Sequence, residues 1–118
     1  MEIFEYGNKQ SDIMLIQPVG DHDAVFTEKV VSEINRFSGK DLMMAAFKVN
    51  DWNKELSPWE APPVFGNEGF GAGAEESLKE IEKYCSDSTK RYIIGGYSLA
   101  GLFALWAVYR TKTFSGAA

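Results

Sequence analysis

Apolar residues along the chain fall into runs of two kinds, and the two kinds alternate. Ile13-Met14-Leu15-Ile16-Gln17 is short, almost continuously apolar and stopped by Pro18 and Gly20, which predicts a strand buried on both faces of a parallel sheet. The period then changes. Phe26, Val30, Ile34 and Phe37 recur at helical spacing with Val31 beside them, while Glu28, Lys29, Glu33 and Arg36 take the other face. Asp23 is placed to cap that helix and Gly39 to stop it. Leu42 to Val49 reads as a second buried strand. Ala74, Leu78, Ile81 and Cys85 trace another helical stripe, with Glu75 and Glu76 in the first turn, where the helix dipole favours negative charge. Glu75 is also spaced to pair with Lys79. Residues 91–97 hold a third strand around Tyr92-Ile93-Ile94. Leu99 to Arg110 is apolar nearly all round, and a helix of that kind is buried on most sides. Strand, helix, strand, helix, strand, helix predicts an α/β fold of three layers, α/β/α, on a mainly parallel sheet.

Two stretches depart from this alternation. Asn50 to Gly73 carries Trp52, Trp59, Pro58, Pro62, Pro63 and several glycines with no sustained period. A loop of that length in a small domain is entropically costly to order, so its tryptophans are expected to pack, either on the domain or at the rim of a pocket. At the other end, Phe114 to Ala118 looks like the opening of a further strand. On this reading the strand at 92–97 has little beyond it on one side, which a buried parallel strand tolerates poorly.

The composition narrows the classes of function. A chain of 118 residues fits one domain with one core. Seventeen acidic against twelve basic residues give a net charge of −5. A surface of that sign repels phosphate backbones and anionic lipid, so no nucleic-acid or membrane partner is expected. Cys85 stands alone, so it cannot form an internal disulfide or build a zinc site, and a reducing compartment is expected. The acidic start Met1-Glu2-Ile3-Phe4-Glu5-Tyr6 does not resemble a secretory signal, and no apolar run reaches the roughly 18 residues of a bilayer span. The expectation is a cytoplasmic protein without cofactor or metal. Met14, Met43, Met44 and Cys85 read as core.

Chemistry is concentrated between the third strand and the last helix, in Gly95-Gly96-Tyr97-Ser98-Leu99-Ala100-Gly101. Ser98 has Gly96 two positions before it and Ala100 two after, the G-x-S-x-small pattern of a nucleophile elbow. A strand that turns straight into a helix strains the serine backbone and brings its second neighbours almost into collision, so only Gly or Ala fits there. The bend would present the Ser98 hydroxyl at the carboxyl end of the sheet and the Leu99 N–H at a helix N-terminus, where it can hold an oxyanion. Two plainer readings remain open. Ser98 is a good N-cap residue. The glycines could also form a phosphate turn, although the spacing is neither G-x-G-x-x-G nor that of a P-loop.

Gly95 to Trp106 resembles the nucleophile region of α/β-hydrolases of the enterochelin-esterase and esterase D type. Val49-Asn50-Asp51-Trp52-Asn53-Lys54-Glu55-Leu56-Ser57-Pro58-Trp59, with the Gly-rich loop after it, resembles the same group. The resemblance departs at Ala100, where the stricter motif has glycine. It implies a serine nucleophile followed in the chain by an acid and then a histidine. After Ser98 there is no Asp, Glu or His. The chain is therefore expected to be the amino-terminal half of a hydrolase domain, ending at the start of the strand after the nucleophile helix. In the fold that the resemblance implies, the loop after the first predicted strand donates a second oxyanion N–H, with Gly20 or a neighbour as the candidate. His22, between Asp21 and Asp23, is a solvated loop histidine or a surrogate base.

The expected function is that of a serine hydrolase, esterase-like, forming an acyl-enzyme with a small-molecule ester or acyl substrate through Ser98, Leu99 and Gly20. Little turnover is expected from these residues alone. The alternatives are a non-catalytic hydrolase scaffold that associates, with itself as a homo-oligomer or with another chain, through an open sheet edge, and a nucleotide-binding protein of flavodoxin-like shape.

Overall fold

A computed structural model describes residues 1–20, 29, 32, 33, 36, 42–63 and 69–117. In chain order the elements are β1 (Glu2–Gly7), β2 (Ile13–Val19), β3 (Met43–Lys48), α1 (Trp52–Glu55), α2 (Ala74–Tyr84), β4 (Arg91–Ile94), α3 (Leu99–Arg110) and β5 (Phe114–Ala117). The strands form one sheet in the order β1-β3-β2-β4-β5. β1 runs antiparallel to β3, and every other pairing is parallel. The fold is α/β on a mainly parallel sheet, as the alternation of periods predicts.

Handedness sorts the connections into layers. The step from β2 to β3 goes one way along the sheet, and the steps from β3 to β4 and β4 to β5 go the other. Right-handed crossovers therefore put α2 and α3 together on one face. α2 and α3 do lie side by side: Arg110 pairs with Glu75, and the Thr111 hydroxyl donates to the Glu82 carboxylate over 3.2 Å. Between them and the sheet lies the main core, with Ile16, Phe47, Ile81, Ile94 and Phe103 wholly buried. Met44 and Ala46, on the other face of β3, are buried too, so this strand is covered on both sides. Met14 and Met43 are core residues, as is Cys85. In the β2–β3 connection, residues 29, 32, 33 and 36 are helical and exposed, which puts Lys29, Glu33 and Arg36 on the charged face expected for them. The residues expected to cap and bury that helix, Asp23, Phe26, Val30, Val31, Ile34, Phe37 and Gly39, lie outside the described residues, as does Glu28.

Three features differ from the sequence expectations. Glu2–Gly7, read only as an acidic start, is an edge strand whose half-buried Phe4 and Tyr6 lean inward while Glu5 faces solvent. The strand at 91–94 is not left bare, because β5 pairs with it from Tyr92↔Phe114 to Ile94↔Ala117 and becomes the edge in its place. α3 is buried on one side rather than on most. Ala100, Phe103, Ala104 and Ala107 face the sheet, while Leu102, Leu105 and Tyr109 lie outward, Tyr109 at 85% exposure.

The aperiodic segment contains one helical turn, α1. The Asp51 side chain accepts the Lys54 N–H at its start, and the Glu55 carboxylate reaches back to the N–H groups of Asn50 and Asp51. This reciprocal arrangement is that of a capping box, with the returning carboxylate one residue later than N3. Gly73 lies against the Lys54 carbonyl, where a Cβ would come within 2.8 Å, so the return into α2 needs glycine.

Candidate active site

β4 ends at Ile94, and the Gly95 N–H donates to the Ile16 carbonyl of β2 over 2.8 Å, which holds the strand end against its neighbour. The chain then turns within a few residues into α3. Ser98 stands at that bend with φ 56° and ψ −119°, the one non-glycine residue with positive φ among the described residues. A side chain in this region costs of order 1–3 kcal/mol and persists only where its surroundings impose it. What imposes it here is the close approach of the flanking residues. A Cβ on Gly96 would lie 2.5 Å from the Ala100 Cβ and 2.6 Å from its carbonyl carbon. Gly101 in turn faces the Gly96 carbonyl oxygen at 3.1 Å from where a Cβ would sit. These glycines serve close packing of backbone on backbone, not an open cradle for phosphate.

The Ser98 hydroxyl makes no capping hydrogen bond to α3. The helix is started by backbone carbonyls instead, that of Tyr97 accepting from Ala100 and that of Ser98 from Gly101 and Leu102 at 3.0–3.2 Å. Ser98 is exposed, and its side chain has no hydrogen-bond partner among the described residues. The Leu99 N–H, first of the helix, likewise donates to no described acceptor. An unbonded hydroxyl thus stands beside an unbonded N–H that carries the positive end of the helix dipole.

The third predicted site residue, Gly20, follows the end of β2, next to β4 in the sheet. The β2–β4 register pairs Ile16 with Ile94, so Gly20 and Ser98 are each four residues past paired positions, at the same end of adjacent parallel strands. Chain connections reverse direction between these two strands. Crevices outside the carboxyl ends of strands at such a switch point are where open α/β sheets bind ligands.

Other candidates fare differently. His22, Asp21 and Asp23 lie outside the described residues. Trp52 is partly buried against the core, whereas Trp59 is half-exposed, so only the first of the two tryptophans packs as expected. Cys85 is buried, and desolvation, reinforced by the nearby Glu82 carboxylate, pushes its thiol up to about 12. Such a thiol is not a nucleophile at neutral pH. Burial and a hydrogen bond to Glu5 hold the Tyr84 phenol well above its ordinary range. Among the described residues no cluster of three or more His, Cys, Asp or Glu is arranged to hold a metal. No described helix is long and apolar enough to cross a membrane. Sequence reading gave Tyr97 no role, yet it adjoins Ser98 and is 80% exposed. Its signal was present as an aromatic residue in a variable position of the serine motif.

Comparison with solved structures agrees with this architecture. The siderophore hydrolase EstA from Aspergillus nidulans superposes with a TM-score of 0.66 at 15% sequence identity, over 98% of this chain and 49% of its own. The likeness is one of fold. This chain spans about half the length of that structure. No family model matches the sequence, and no curated protein does.

Proposed function

We propose that the chain carries the nucleophile of a serine, esterase-like hydrolase acting on a small ester or related acyl substrate. The observation that carries this reading is Ser98, strained, exposed and without a hydrogen-bond partner among the described residues, at the switch point of a hydrolase-like sheet. Ser98 Oγ attacks the substrate carbonyl, and the Leu99 N–H receives the developing oxyanion. Gly20, at the end of β2, marks the proposed position of the second oxyanion donor. Collapse of the tetrahedral intermediate breaks the ester C–O bond and leaves an acyl-enzyme, which water then hydrolyses. The general base that takes the serine proton and returns it to the leaving alcohol is a histidine oriented by an acid.

The chain holds neither partner after Ser98. We propose that both belong to polypeptide beyond these 118 residues, which thus form the amino-terminal half of the domain; the length of the EstA structure, about twice the part matched, supports this. The lone buried thiol is the reason for proposing a cytoplasmic setting.

A fluorophosphonate probe, with imidazole added in solution as the general base that this chain does not supply after Ser98, tests the reading by phosphonylating that serine. Labelling that maps to Ser98 and disappears in Ser98→Ala supports it. Unlabelled protein, folded by circular dichroism, counts against it and favours the second reading, a scaffold that associates through its open edge. One observation speaks for that second reading. β5 exposes an uncharged edge of Ser115, Gly116 and Ala117, and a Cβ built on Gly116 would meet nothing within 4 Å.

A further inference from the structure

Tyr97 precedes the proposed nucleophile directly and is among the most exposed aromatic residues described. Most large rings of the domain are engaged: Phe47 meets Tyr84 edge-on, Phe103 stacks obliquely with Trp106, and Tyr92 and Phe114 are buried. The Tyr97 ring makes no ring contact and its hydroxyl no hydrogen bond among the described residues. Its backbone, however, is fixed. The Tyr97 carbonyl accepts the Ala100 N–H over 3.0 Å in the first turn of α3, and the neighbouring bend is locked by the Gly96–Ala100 approach. A large amphipathic ring is thus held on a rigid anchor, one residue from the reacting hydroxyl, at the carboxyl end of the sheet.

An exposed tyrosine loses little conformational freedom when a ligand covers it, and its face suits another flat ring. Resting on the reading of Ser98 as nucleophile, we propose that Tyr97 selects for esters whose acyl group carries an aromatic ring, by stacking against that ring beside the scissile carbonyl. Tyr97 is then a specificity residue and takes no part in proton transfer.

The test compares two fluorophosphonates of equal charge, one bearing a phenylalkyl chain and one a linear alkyl chain, on the 118-residue protein with imidazole added as the general base. The phenyl-bearing probe is expected to label Ser98 about three- to tenfold faster, the range that one aromatic contact supplies. Tyr97→Ala should bring the ratio of the two rates close to one without lowering the melting temperature, and Tyr97→Phe should keep the preference. Equal rates for the two probes in the parent chain would overturn the assignment. So would a Tyr97→Ala protein that slows with both probes and melts lower, because the ring would then be a packing element. If neither probe labels Ser98, the nucleophile reading itself fails, and the role of Tyr97 falls with it.

Discussion

A Cβ added to Gly96 would stand 2.5 Å from the Ala100 Cβ, closer than two carbons can approach without moving the backbone. The clash extends to the Ala100 carbonyl group, which belongs to the first turn of α3 and cannot swing away as a flexible side chain would. Gly96→Ala should therefore destabilise the domain by about 1–3 kcal/mol, the usual cost of forcing an extra methyl into a packed site, and more if the bend cannot open. Urea denaturation measures this. Labelling of Ser98 should fall with it even in the fraction that stays folded, because relief of the clash displaces the serine. The opposite change, Ala100→Gly, removes a buried methyl and adds helix entropy, costing about 1 kcal/mol, and should leave labelling intact.

Ser98 itself separates two meanings of a serine before a helix. A capping serine replaced by alanine costs about 0.5–2 kcal/mol. Here the hydroxyl caps nothing, so Ser98→Ala should leave the urea midpoint almost unchanged while removing probe labelling. Ser98→Gly should go further and stabilise, by about 1 kcal/mol or more, because glycine accepts φ 56° without strain. A clear loss of stability in Ser98→Ala would show that the side chain has a structural partner after all.

This bend was the most legible part of the chain because its requirement is local: small residues two away on either side of the serine have little other reason to be there. The parallel core strands were legible for a similar reason, since β2 and β3 are buried enough to read as apolar runs. β1 was not, because Ile3 and Phe4 are adjacent and break the alternation, and its place is decided by antiparallel pairing to β3, tens of residues away. The one-turn helix α1 was too short for a period to show; its signal was the Asp51 and Glu55 capping pair. For α3 the composition pointed to cover on most sides, whereas the observed fold covers only the Ala100, Phe103, Ala104 and Ala107 side. The position of Gly20 level with Ser98 needed the sheet order, which no single-strand pattern contains.

Cys85 makes a pH prediction. Its thiol is pushed from 9.0 up to about 12 in the folded chain by desolvation, helped by Glu82. The folded state therefore holds its proton more tightly than the unfolded one. The associated stability is fully present below the unfolded value and is lost as pH rises from about 9 towards 12. Thermal unfolding should show a steeper alkaline decline in the parent than in Cys85→Ala. At pH 8, disulfide-exchange reagents should modify Cys85 only at the rate of unfolding, and acceleration by low urea would confirm that route.

The β5 edge makes the last prediction. Unprotected edges invite another strand, and proteins blunt them with charge, proline or a bulge. β1 follows this rule, with Glu2 and Glu5 on its strand; β5 reads Phe-Ser-Gly-Ala with no charge or proline, and its one interruption is the register shift at Ser115, between Tyr92↔Phe114 and Ile93↔Gly116. A second copy can add itself there by main-chain hydrogen bonds, so the 118-residue chain should show concentration-dependent association by size-exclusion with light scattering. Ser115→Lys places a charge on an exposed position of that edge and should shift the population to monomer without altering the melting temperature at low concentration. The same substitution on the outward face of α3, at Leu105, discriminates between surfaces. If Leu105→Lys dissociates the chain and Ser115→Lys does not, the association runs through the helix and the edge is idle.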